Sequence, residues 1–79
     1  MMSVDVLAFI ARNLVDHPED IEIAEAEDDD GNLILELRVH PEDMGKVIGK
    51  RGRTAKAIRT LVKAASTRDG EQASVEIVE

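Results

Sequence analysis

VIGKRGRTAKAIRT, residues 47–60, joins two predicted helices through the four residues Gly49 to Gly52. The stretch carries five basic side chains, two glycines three positions apart and no carboxylate, although the whole chain has a formal net charge of −7. Glycine at both ends of so short a connection permits backbone angles closed to other residues and lets another backbone come close. The helix after Gly52 presents unpaired N–H groups and the positive end of its dipole at the same place. The pattern therefore predicts a phosphate-binding connection.

Positive charge is confined to one part of the chain. Residues 44–68 hold eight lysines and arginines and no carboxylate, a net charge of +8, whereas the rest holds two arginines against 17 carboxylates, a net charge of −15. A basic segment on an acidic body favours selective capture of a polyanion over indiscriminate binding. A solvated helix face normally mixes both signs. The absence of carboxylates over this segment therefore favours a binding surface.

Length and composition predict a single cytoplasmic domain that spans residues 1–79. Of the 79 residues, 43% are apolar and 34% are charged, which is ordinary globular composition. Phe9 is the only aromatic residue and there is no cysteine, which rules out disulfides and fits a reducing compartment. No apolar run approaches the ~20 residues of a membrane span. The amphipathic N-terminal segment lacks the features of a signal peptide.

The spacing of apolar residues predicts an α+β fold with the order α-β-β-α-α-β. The predicted elements are a helix from an N-cap at Ser3 to near Asp16, strands over Ile21–Ala26 and Leu33–Val39, a short helix from Pro41 to Gly49, a helix from about Arg53 to Ser66, and a strand over Ala73–Val78. Ala55, Ile58, Leu61, Val62 and Ala65 are predicted to face inward from the longest helix. We expect an antiparallel hairpin with a turn at residues 28–32, and a parallel last strand reached by a right-handed crossover. The result is a three-stranded mixed sheet covered on one face by helices.

Basic side chains continue along the helix that follows the glycines. At 100° per residue, Lys56, Arg59 and Lys63 fall within a sector of about 60°, centred roughly 120° from the apolar face. They would flank a groove whose apolar floor is formed by Val47, Ile48 and part of Ile58. The sequence thus predicts a clamp for single-stranded nucleic acid.

Residues 43–60 resemble the KH family, and within it the small bacterial KhpA (YlqC) proteins. Val47 to Gly52 reproduce the V-I-G-x-x-G signature of a loop that clamps four nucleotides by their backbone. The KhpA pattern D-x-G-x-V-I-G-K/R-x-G-R-T-x-x-A-I-R-T runs unbroken from Asp43 to Thr60. The resemblance covers essentially the whole chain and implies a type II KH domain that binds RNA. The predicted RNA-binding residues are Val47, Ile48, Gly49, Lys50, Arg51, Gly52, Arg53, Lys56, Ile58, Arg59 and Lys63.

The resemblance also implies partners and a cellular role. KhpA proteins pair with the larger KH-containing protein KhpB (EloR or Jag) and can form homodimers. Their complex is regarded as an RNA chaperone or post-transcriptional regulator linked to cell shape and cell-wall biogenesis. An alternative hypothesis is a protein-interaction subunit that serves mainly for dimerisation, with weak or partner-supplied contact to nucleic acid. RNA sequence preference, the choice between RNA and single-stranded DNA, and the dimer surface do not follow from the sequence.

No other chemistry is predicted. An EF-hand register with Gly31 at loop position six would place Ala26 first and Leu37 last, and neither can ligate calcium. His17 and His40 are predicted to be separate histidines that form no metal pair. The Walker phosphate-binding pattern and a Ser/His/Asp constellation are both absent from the sequence. We therefore expect no catalytic residue, no metal and no cofactor, and hence no enzyme.

Overall fold

The computed structural model describes residues 2–79 and confirms the predicted order of helices and strands. The elements are helices α1 (Ser3–Leu14), α2 (Met44–Ile48) and α3 (Arg53–Arg68) and strands β1 (Glu22–Glu27), β2 (Leu33–Arg38) and β3 (Ala73–Ile77). Single 3-10 turns occupy Pro18–Asp20, Pro41–Asp43 and Lys50–Gly52. Within the described range, every helix is too short or too polar to cross a membrane.

The three strands form one mixed sheet in the order β1-β2-β3. β1 pairs antiparallel with β2, and β2 pairs parallel with β3, with Leu33 opposite Ala73 and Leu37 opposite Ile77. Both pairings were predicted, because a short turn joins the first two strands and two helices supply the crossover to the third. Gly31 closes the hairpin turn with a φ of 82°. β3 is therefore an edge strand, and it lies beside α3.

Aliphatic side chains from all the main elements except β1 form the fully buried core between the sheet and the helices. The largest members are Leu7 of α1, Leu35 and Leu37 of β2, Val47 of α2, and Ile58 and Val62 of α3. Burying one such side chain contributes about 1.5–3 kcal/mol, so these aliphatic residues supply the packing that holds α2 and α3 on the sheet. The opposite face of β2 carries Glu36 and Arg38, as the alternation predicted.

Two predicted side-chain roles are wrong. Leu61 does not face the core, because it lies on the flank of α3, about 60° around the helix from Ile58 and about 100° from Val62, and 54% of its surface is exposed. Ser3 is the first residue of α1 and not its N-cap, because its hydroxyl donates to Oε1 of Glu71 at 3.0 Å. The start of α1 is instead held by the N–H of Met2, which donates to Asp5 Oδ2 at 3.1 Å.

Helix α1 ends at Leu14, two residues before the predicted end. The N–H groups of Asp16 and His17 donate to the carboxylate of Asp43 at 3.2 and 3.0 Å, so they do not continue the helix. Asp43 itself is 1% exposed. One buried carboxylate thus ties the end of α1 to the start of α2, which fixes the position of α2 and of the loop that follows it.

Candidate nucleic-acid interface

The connection from α2 to α3 has an unusual backbone. Gly49 has φ 76° and ψ 172°, Arg51 has φ 58°, and Gly52 has φ 72°. Three of the four residues therefore occupy a region that non-glycine residues rarely adopt. The N–H of Gly49 still donates to the carbonyl of Gly45 at 2.9 Å, and Gly52 donates to Gly49 at 3.1 Å. We call residues 49–52 the glycine loop.

The first turn of α3 packs directly against this loop. A Cβ added to Gly49 would lie 2.1 Å from Oγ1 and 2.6 Å from Cβ of Thr54, whereas a Cβ added to Gly52 would meet nothing within 4 Å. No side chain caps α3, whose first residue is Arg53. The first N–H groups of a helix have no partner within the helix. Lys50, Arg51 and the start of α3 therefore lie around one exposed backbone surface.

The predicted cations of this surface form no ion pairs with the acidic residues that the structure describes. Among residues 2–79, no ion pair involves Lys50, Arg51, Arg53, Lys56 or Lys63, and all five are exposed. Arg59 uses its Nε to donate to the carbonyl of Val75 at 3.3 Å. That bond aims the guanidinium along the free edge of β3 and leaves its terminal nitrogens available. The arrangement suits an anionic ligand, because no carboxylate of residues 2–79 forms an ion pair with these side chains.

The basic stripe of α3 divides between two depressions. Arg59 and Lys63 line an open cavity of about 380 Å³ between α3, β3 and the hairpin turn, and we call this cavity the edge groove. Lys56 and Arg53 instead line a depression with Ala57, Thr60 and Leu61 on the outer side of α3. Sequence reasoning found the cations but missed the contribution of Asp28, Asn32 and residues 72–75 to the edge groove. Those residues carry no charge pattern that points to a ligand, and only the crossover connection brings them beside α3.

The predicted apolar floor is largely part of the core. Val47 is 0% exposed and Ile58 is 2% exposed, so neither side chain offers a surface to a base. Ile48 is 39% exposed and is the one member of the three that reaches solvent. Val47 and Ile58 therefore belong to the core between the helices and the sheet, and of the three only Ile48 can offer apolar contact to a base.

His17 and His40, predicted to be separate, are stacked with ring centroids 4.1 Å apart and an angle of 17° between the rings. With Glu42 they bring three possible metal-ligand atoms within 4.8 Å of one another. His17 Nδ1 lies 3.0 Å from the Asp43 carboxylate, and His40 Nδ1 accepts the N–H of Glu42 at 3.0 Å. A neutral His40 then carries its proton on Nε2, which leaves no lone pair for a metal. The hydrogen bonds of both rings serve the junction between α1 and α2.

The pKa values of the charged groups at the junction between α1 and α2 follow from their contacts. Burial raises the pKa of Asp43, but hydrogen bonds from Asp16 and from the side chain and backbone of His17 outweigh it, so the net pKa is lowered. The hydrogen bond to Asp43 raises the pKa of His17 above its ordinary value. The pKa of Lys46 is raised by its hydrogen bond to Asp16 and by the charge of Asp43. These charges are satisfied within the fold.

Comparison with known proteins identifies the same class of domain. A family model described as "KhpA/KhpB, KH domain" matches residues 4–77. The chain is 53% identical over 74 residues to the RNA-binding protein KhpA of Clostridium perfringens, which covers 94% of this chain and 97% of that protein. It is 53% identical over 70 residues to the RNA-binding protein KhpA of Halalkalibacterium halodurans, with 89% and 91% covered. It is 44% identical over 78 residues to the RNA-binding protein KhpA of Leifsonia xyli subsp. xyli, with 99% of both chains covered.

Proposed function

The chain belongs to the KhpA/KhpB KH-domain family, and from that premise we propose that it binds single-stranded RNA through the glycine loop and the edge groove. Its relatives are RNA-binding proteins by name, and its fold is the type II KH arrangement. The observation that carries the proposal is a loop with three positive φ angles, flanked by cations that pair with no carboxylate of residues 2–79.

The geometry suggests which parts of the surface contact the phosphates of the RNA and which part contacts its bases. Phosphate oxygens would accept hydrogen bonds from the glycine loop and the first turn of α3, while Lys50 and Arg51 supply charge. The strand would then pass Ile48 and enter the edge groove, where Arg59 and Lys63 hold the next phosphates. This is binding without chemical conversion of the RNA, and single-stranded RNA in the cytoplasm is the ligand we expect.

Affinity from this surface alone should be modest. The only aromatic residue is Phe9 of α1, which does not belong to the glycine loop or the edge groove. Base–aromatic stacking, worth about 1–3 kcal/mol per base elsewhere, is therefore missing. A second RNA-binding domain would raise the effective concentration and compensate. A KhpB-like protein or a second copy of this chain is the partner we propose, and an RNA-chaperone role in cell-shape and cell-wall control stays a prediction.

A second candidate function is protein pairing through the outer side of α3. The observation that favours it is the exposure of Leu61 in a depression that it shares with Ala57, Thr60 and the stems of Arg53 and Lys56. Leu61 is among the few large apolar residues that residues 2–79 expose. Leu61, Ala57 and Thr60 do not line the edge groove, so pairing and RNA binding are compatible.

One experiment separates the two functions. We would compare the wild type with Lys50→Asp/Arg51→Asp and with Leu61→Asp, using fluorescence anisotropy with short RNA, light scattering for mass, and circular dichroism for folding. Reversing both loop charges should weaken RNA binding at least about tenfold, since contacts to several phosphates are lost, and leave folding and self-association intact. Leu61→Asp should abolish pairing and leave binding of a hexanucleotide intact. Unchanged RNA affinity in the loop variant would refute the proposed clamp.

A further inference from the structure

The edge groove has an acidic end. Arg59 and Lys63 line it along α3, but Asp28 and Asn32 line it where the hairpin turn meets β3. A carboxylate in a groove that binds a polyanion is unfavourable unless it does something other than bind phosphate. Phosphate binding by Arg59 and Lys63 therefore does not explain why Asp28 lines the groove.

The Asp28 side chain is fixed by its own turn. Its Oδ1 accepts the N–H of Asp30 and the N–H of Asn32, both at 2.9 Å, and its Oδ2 accepts Nδ2 of Asn32 at 3.1 Å. The backbone closes the same turn, because Asp28 N–H donates to the carbonyl of Asn32 and Gly31 N–H donates to that of Asp28, both at 3.0 Å. The backbone and side-chain hydrogen bonds from Asn32 lower the pKa of Asp28, so it is a charged, oriented carboxylate at neutral pH.

This carboxylate keeps acceptor capacity beyond its own turn, and Asp28 is exposed where it lines the groove. Within residues 2–79, Asp28 forms no ion pair with Arg59, Lys63 or any other cation. An ionised carboxylate offers about four acceptor positions, and three are used by the turn. One position on Oδ2 is left for a ligand. A phosphate cannot use it because it carries no proton at neutral pH, whereas a base with an exocyclic amino group can.

We propose that Asp28 determines base specificity, excluding phosphate from the turn end of the edge groove and accepting a hydrogen bond from the exocyclic amino group of a base. The inference rests on the proposed RNA binding and specifies its ligand. Arg59 and Lys63 hold the phosphates along α3, so the base edge is directed towards the turn. The ligand is then recognised by its amino group, which donates a hydrogen bond to the Asp28 carboxylate, and this carboxylate has no proton to donate in return.

Cytosine and uracil provide a matched comparison. The two pyrimidines have the same size, but cytosine presents the N4 amino donor where uracil presents the O4 acceptor. An aspartate accepts from cytosine N4, and it would repel uracil O4. Because Asp28 is exposed and water competes for its carboxylate, a single net hydrogen bond to it corresponds to a preference of about three- to tenfold for cytosine.

The test compares hexacytidylate with hexauridylate on the wild type, Asp28→Asn and Asp29→Asn, by fluorescence anisotropy. In the Asp28→Asn variant the amide Oδ1 can still accept the N–H groups of Asp30 and Asn32, whereas the charge and the bond from Asn32 Nδ2 are lost. Asp29 is exposed and does not line the groove, so Asp29→Asn removes the same charge from the same turn. We expect the wild type and Asp29→Asn to prefer cytosine about three- to tenfold, and Asp28→Asn to lose the preference, mainly by binding hexauridylate more tightly.

The outcomes distinguish the base preference assigned to Asp28 from RNA binding itself. An unchanged ratio of the two affinities in a folded Asp28→Asn variant would overturn this inference while RNA binding stands. Equal changes in Asp28→Asn and Asp29→Asn would also overturn it, because only general charge would then matter. Failure of the wild type to bind either hexanucleotide would overturn the proposed function and this inference with it.

A variation in the RNA keeps the inference testable should Asp28→Asn fail to fold. Replacing each cytosine by N4,N4-dimethylcytosine removes both amino protons and leaves the protein unchanged. The wild type should then lose its preference for the cytidine strand over hexauridylate. Retention of the preference by the dimethylated strand would contradict the role of Asp28.

Discussion

The two turns at either end of α2 have opposite chemistry. Before the helix, the Pro41–Asp43 turn buries Asp43 under hydrogen bonds from the end of α1, and the next basic residue, Lys46, pairs with Asp16 and Asp43. After the helix, the glycine loop exposes Lys50 and Arg51, which pair with no carboxylate in residues 2–79. A short helix thus separates charges that hold the fold from charges that have no acidic partner among residues 2–79.

The difference teaches how to tell a cation that stabilises the fold from one that has no acidic partner. Lys46 and Lys50 are four residues apart, and both lie in the segment without carboxylates. Their positions in the sequence do not distinguish them, but only Lys46 pairs with carboxylates, those of Asp16 at the end of α1 and of Asp43 three residues before it. The acidic body therefore neutralises the charge at the start of α2 and leaves the charge after it unneutralised.

The largest effect should come from the backbone of the glycine loop. Gly49→Ala forces a Cβ to within 2.1 Å of the Thr54 hydroxyl at a φ of 76°, and it should destabilise the protein by about 2–4 kcal/mol. Gly52→Ala, at a φ of 72° in open space, is the matched control and should cost about 1 kcal/mol. Urea denaturation measures both. Equal losses would mean that packing against Thr54 does not shape the loop.

A smaller effect should distinguish unpaired from paired lysines. Lys63→Gln removes an exposed cation of the edge groove, so RNA affinity should fall about two- to fourfold and the slope of log K against log salt should become shallower by about 0.7. The wild-type slope itself should be about −2 to −3, for three or four phosphates. Lys46→Gln should lower the melting temperature and leave the salt slope unchanged. The same change of slope in both variants would contradict the distinction between paired and unpaired lysines.

The smallest effect should be a pH dependence of the junction around Asp43. The raised pKa of His17 means that its contribution to stability is complete below pH 6.5 and is lost as pH rises through the folded pKa. The lowered pKa of Asp43 means that its contribution is present above pH 3.8 and is lost as pH falls through its folded pKa.

The wild type should therefore exceed His17→Gln in free energy of unfolding most clearly between about pH 4 and pH 6.5, and the gap should narrow at alkaline pH. The two imidazoles stack, and Glu19 and Glu42 add smaller charge effects on His17. Denaturation curves of both proteins at a series of pH values measure the gap. A constant gap from about pH 5 to pH 9 would show that the ion pair contributes nothing.

Local patterns predicted most of the fold because they depend on neighbours in the chain. Alternation in residues 33–39 predicted β2 to within one residue, and Gly49 predicted the end of α2. Leu61 was wrongly predicted to face inward, because the spacing of apolar residues gives their angles around a helix but not the width of the helix surface that the sheet covers. His17 and His40 were misjudged because their stacking depends on how the end of α1 meets the start of α2.

By itself, the sequence determined the secondary structure, the family and the presence of a basic glycine loop, since each depends on residues close together in the chain. The tertiary structure alone decided which cations remain without acidic partners, which apolar residues of the motif are buried, and that Asp28 closes one end of the edge groove. The physical reason is that burial and pairing depend on distances across the fold. Those distances arise only when the crossover brings β3 and the hairpin turn beside α3.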